Sequence, residues 1–68
     1  MPTTQDRIEA AEEAIQAHRD ATREYESNTE EVVIDLLTNL RHLAEAHDLD
    51  FTALVRISKT HHMAEQNG

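Results

Sequence analysis

Val32-Val33-Ile34-Asp35-Leu36-Leu37-Thr38-Asn39-Leu40-Arg41-His42-Leu43-Ala44-Glu45-Ala46-His47-Asp48-Leu49-Asp50-Phe51 is the stretch on which the fold turns. Within it Val33, Leu36, Leu37, Leu40, Leu43, Ala44 and His47 recur at a period of about 3.6 residues, which describes a helix with one apolar stripe. Val32 and Ile34 widen the start of that stripe. The pattern stops at Asp48-Leu49-Asp50, where the Asp50 carboxylate can accept from the amide of Thr52 or Ala53 and open another helix, with Leu49 turned inward as the hinge. A tight αα-hairpin is the expected result. Phe51, Leu54, Val55, Ser58 and His61 or His62 should line its inside, with Ile57 at the margin and Ala64 to Gly68 frayed.

Upstream, Ser27-Asn28-Thr29-Glu30-Glu31 carries two versions of a capping box, Ser27 with Glu30 and Asn28 with Glu31. Glutamates in a first turn also suit the positive end of a helix dipole. Before that, Ile8, Ala11, Ile15, His18, Thr22 and Tyr25 alternate at spacings of three and four, the a/d pattern of a narrow helical seam. The seam is poor in apolar area, and Glu9 repels Glu13 one turn away, so this helix needs a surface to lean on. The only proline is at position 2 and the only glycine at position 68, so no strong breaker interrupts the helices. The expectation is an all-α single domain of three helices, at roughly residues 5–26, 29–47 and 51–64. A long acidic helix precedes the hairpin, and dimerisation completes the fold.

Sixty-eight residues without cysteine offer neither disulfides nor thiolate metal sites. A domain this small usually buries enough surface only by associating, so a homo-oligomer is expected, with Ile8, Ile15 and Tyr25 as its seam. The net charge of −8 is uneven: residues 1–31 hold nine acids against three arginines, leaving −6 there and −2 in the remainder. Such a surface repels phosphate backbones and anionic headgroups, which argues against direct nucleic-acid or membrane binding. Its complement is a protein partner with a basic surface, contacted by Glu9, Glu12, Glu13, Asp20 and Glu24. The start of the chain lacks the charge and hydropathy pattern of a leader, so a cytoplasmic location is expected.

No catalytic constellation stands out. There is no nucleophile elbow and no Gly-rich phosphate loop, and none of the five histidines pair at i,i+4 for a metal, leaving only a set drawn from separate helices such as His18, His47 and His61. No cofactor is implied. Four histidines, His42, His47, His61 and His62, fall in the C-terminal half, so association is expected to vary with pH near the imidazole value of about 6.5.

Two resemblances rest on these residues. Val32 to Phe51 resembles the second metal helix and following turn of MazG-like all-α NTP pyrophosphohydrolases, with Asp35 on the family's aspartate and Leu43-Ala44 and Leu49-Asp50 matching. Val32 stands on the family's glutamate position, and Glu31 is one residue out of register. Glu9, Glu12 and Glu13 give Glu-x-x-Glu-Glu where the family has Glu-Glu-x-x-Glu. This resemblance implies a Mg²⁺-dependent nucleotide hydrolase using Asp35 with Glu31, Glu12 and Glu13. The stretch from Asp35 to about His62 also looks like the C-terminal hairpin of small accessory proteins of phages and plasmids. That implies a mobile-element accessory protein, a class that includes acidic inhibitors of host nucleases such as anti-CRISPR proteins. The leading expectation is therefore a small acidic protein-interaction module and not an enzyme. The alternatives are a structural oligomerisation module and, further off, a relative of the nucleotide hydrolases.

Overall fold

A computed structural model describes residues 2–66. They form three α-helices, α1 (Thr4–Thr22), α2 (Thr29–Ala46) and α3 (Phe51–Gln66), and no strand occurs among the described residues. The chain is thus all-α with three helices, as its periodicity predicts.

Each helix starts where a short polar side chain can take up an orphan amide. Thr3 caps α1 reciprocally: its hydroxyl accepts from the Asp6 amide at 3.1 Å, and the Asp6 carboxylate accepts from the Thr3 amide at 2.9 Å. At α2 it is Asn28 that serves, with Oδ1 accepting from the Glu31 amide at 2.8 Å. Asp50 accepts from the Ala53 amide at 3.1 Å, one of the two partners its position allowed, and α3 begins at the next residue.

The ends depart further from expectation. α1 stops at Thr22 rather than near Glu26, because Arg23 turns left-handed (φ 59°) and the Glu24 amide donates to the Arg19 carbonyl at 3.2 Å. The Arg19 guanidinium then donates to the carbonyls of Glu24 (3.2 Å) and Ser27 (2.6 Å), which holds the linker against the end of α1. α2 closes with a Schellman turn: Asp48 is left-handed (φ 56°), its amide donates to Glu45, and the Leu49 amide reaches back to Ala44 at 2.8 Å. Neither left-handed position carries glycine, the residue that adopts this conformation without steric cost. α3 stays helical to Gln66, so the expected fraying from Ala64 does not hold that far, and residues 67–68 lie outside the described residues.

α1 packs on α2 through its second half, where Ile15 and Arg19 are half-buried and His18 is buried, while the stretch that holds Glu9 and Glu13 stays exposed. α3 meets α2 at the hinge, where Phe51 and Ala53 are half-buried, and every described residue beyond them is exposed. Its far end returns to the start of α1 through the Arg7–Glu65 ion pair at 3.0 Å. The core is correspondingly thin: among the described residues Val32 (0 % exposed) and Ala44 are the buried apolar ones and His18 the buried polar one. The hairpin is therefore open, not tight. Leu54 and Val55, expected inside it, remain nearly half exposed because α3 leaves α2 after its first turn.

Candidate functional site

One apolar stripe was expected on α2; the structure divides it into two sectors whose centres are about a third of a turn apart. The first contains Val32, Asp35, Leu36 and Asn39, and faces α1: the Asn39 side chain meets His18 Nε2 at 2.9 Å, a contact between residues 21 apart in sequence. The second contains Leu37, Leu40 and Ala44. With Leu43, Leu49, Phe51, Leu54, Val55 and Ser58, it walls an open groove of about 300 Å³ between α2 and α3. Among the described residues Ser58 is the only polar one on that wall. Leu40 and Leu54, at 38 % and 44 % exposed, thus face the same groove without closing it. The cation of Arg41 lies over the Phe51 ring, 4.6 Å from its centre, and fixes the ring at the hinge.

The interface between α1 and α2 is polar at one end. His18 is buried with Nδ1 unpartnered, and an oxygen of Glu24 is likewise shut from solvent without a partner. Glu24 faces Asp35. The hydrogen bond between these two carboxyls raises the Glu24 pKa above its usual 4.5, assisted by burial and by the Asp35 charge and opposed by His18 and Arg19. Folding therefore favours protonated Glu24, so the pair's contribution is complete below the usual carboxylate range and is lost as pH rises through the raised value. Glu24→Gln, whose amide donates to Asp35 at every pH, is expected to raise the unfolding midpoint at about pH 7 and leave it unchanged at about pH 4. Paired thermal melts at the two pH values measure this. An equal shift at both would mean the two carboxyls do not share a proton.

The residues expected to bind a partner do not all lie on one surface. Glu9, Glu12, Glu13 and Asp20 are exposed on α1, whereas Glu24 sits in the linker with its carboxyl turned to Asp35, and so leaves the acidic face. Asp20 accepts from Gln16 and from the Tyr25 hydroxyl, each at 3.1 Å, and the latter hydrogen bond pushes the Tyr25 phenol upward, with desolvation and the Asp20 charge acting in the same direction. The seam of Ile8, Ile15 and Tyr25 is broken. Tyr25 lies beyond the end of α1, so it cannot continue the helical row of Ile8, which is exposed, and Ile15, which is half-buried.

The acids implied by the hydrolase resemblance are not gathered either. Asp35 pairs with Glu24, while Glu31, Glu12 and Glu13 are exposed on the first turn of α2 and on α1. Among the described residues no three His, Asp or Glu side chains are placed to hold a metal ion, and His18, His47 and His61 do not meet. Among them also, no helix is long and apolar enough to cross a membrane. The first turn of α1, capped by Thr3 and Asp6, was legible as a Thr-x-x-Asp signal that the periodicity alone did not use. The Glu24–Asp35 pair had no such signal.

No protein-family model, no curated protein and no solved structure matches the chain.

Proposed function

We propose that this chain is a protein–protein association module that acts by contact and not by chemistry. The observation that carries this reading is the open apolar groove of α2 and α3, where Leu37, Leu40, Leu43, Leu49, Leu54 and Val55 stay exposed in a chain with a very small core. Water contact with such a patch is unfavourable by about 25 cal/mol per Å² of apolar area, so another apolar surface gains by covering it. The polar groups that do converge elsewhere, His18, Asn39, Glu24 and Asp35, are used within the molecule to join α1 to α2.

On this reading the two ends divide the work. The groove supplies association, and the exposed acids Glu9, Glu12, Glu13 and Asp20 select a protein partner with a basic surface, of the kind that otherwise handles nucleic acid. An inhibitor or accessory role for a mobile element agrees with that chemistry, since an acidic helix can occupy a basic cleft in place of a phosphate backbone. The test is retention of a lysate protein by the immobilised chain, compared with Glu9→Lys/Glu12→Lys/Glu13→Lys. Binding that is lost in the triple variant, and that falls as salt shortens the screening length from about 10 Å toward 3 Å, supports the acidic contact. Undiminished retention by the triple variant overturns it.

A further inference from the structure

We infer that the groove between α2 and α3 is covered by a second copy of this chain, the two hairpins closing on each other as a two-fold four-helix bundle. This rests on the association reading above and names the occupant of its surface.

Area gives the first reason. The chain exposes 5809 Å², whereas a compact monomer of 7.8 kDa exposes about 4,400 Å². The excess is about 1,400 Å² per copy, and two copies that buried it would remove about 2,800 Å² together, within the range of obligate homodimers. Shape agrees: the radius of gyration is 13.5 Å against about 11 Å for a compact chain of this length. Part of that surplus lies where α3 parts from α2, and a second part lies in a more polar cleft of about 580 Å³ between the start of α1 and the end of α3.

Charge gives the second reason. Like charges oppose self-pairing through α1, because residues 1–31 carry −6 in each copy. The hairpin half carries only −2, with Arg41, Arg56 and Lys59 interspersed among its acids, so two such halves can meet without strong repulsion. α1 lies against the other sector of α2, where Asn39 meets His18, and it does not block the groove. Folding supplies the third reason. With Val32 and Ala44 as the buried apolar residues among those described, the isolated chain has only a marginal core, so a partner present whenever the chain is made adds the most to its stability. A second copy meets that condition. An isologous pairing also completes both deficient surfaces at once, which a single foreign helix lying in one groove does not do.

The experiment is sedimentation equilibrium of the full chain over about a hundredfold range of concentration, with circular dichroism melts on the same samples. Expected are a mass twice that of one chain and a melting midpoint that climbs with concentration. In a mixture of ¹³C-labelled and unlabelled chains, isotope-filtered NOEs should join the methyls of Leu37, Leu40, Leu54 and Val55 between copies. Leu40→Asp/Leu54→Asp should lose the dimer mass, but the NOEs locate the contact even where that variant does not fold. Intermolecular NOEs on Ile8 and Ile15 instead would overturn the proposal, as would a monomeric mass throughout. For a helical monomer, anilinonaphthalene sulfonate separates the two levels. Bound dye that Leu40→Asp/Leu54→Asp removes leaves the groove a docking surface for a different partner and ends the self-pairing; no bound dye ends both.

Discussion

Val32→Ala is expected to lower the free energy of unfolding by about 2–3 kcal/mol, the combined cost of two buried methyl groups and the cavity they leave. Among the described residues Val32 is the one large side chain sealed completely from solvent, and it sits on the sector of α2 that faces α1. A single core of this size rarely supplies more than about 3–5 kcal/mol, so the loss takes most of the stability and the variant should be largely unfolded at ambient temperature. Ile34→Ala provides the control. Ile34 is 56 % exposed and points away from both sectors, so its truncation should change stability by no more than about 0.5 kcal/mol. Urea titrations followed by helix ellipticity at one fixed protein concentration give both values. A cost at Val32 no larger than at Ile34 would show that α1 does not rest on α2.

The contrast between these neighbours illustrates what sequence can and cannot display. Periodicity placed Val32 at the margin of a stripe led by Val33, yet Val32 is the sealed residue and Val33 is exposed. Periodicity reports that a helix has an apolar side; it does not report that two different neighbours divide that side. The division follows from where α1 lies, and α1 is held there by contacts between residues far apart in sequence, such as His18 with Asn39. The starts of α2 and α3 were legible for the opposite reason. Asn28 and Asp50 act on amides three residues ahead, so the whole interaction is written in a short string. The ends were not, because the left-handed residues are Arg23 and Asp48, and neither has the glycine that signals such a turn. Glu24 was read as one more acid of a wet face for the same reason: its partner Asp35 comes from the next helix.

Arg19→Met is expected to cost about 2 kcal/mol and to loosen the linker of residues 23–28 more than the helices themselves. Methionine keeps much of the aliphatic stem but donates nothing, leaving the Glu24 and Ser27 carbonyls without the guanidinium that now joins them. A hydrogen bond from a charged donor contributes about 1.5–3 kcal/mol, and two are lost here, but Arg19 is only half-buried and water replaces part of each. The effect spreads because of where those carbonyls are. Ser27 immediately precedes the Asn28 cap, so the bond that ends α1 also sets the entry into α2 and brings Glu24 against Asp35. Hydrogen exchange should therefore speed up first at the amides of Glu24 and Glu31, while those in the middle of α2 keep their protection. Lysine at position 19 can restore one bond but not the fork, and should recover about half of the loss. If Arg19→Met instead left exchange at Glu24 and Glu31 untouched, the linker would owe its path to the left-handed turn at Arg23 alone.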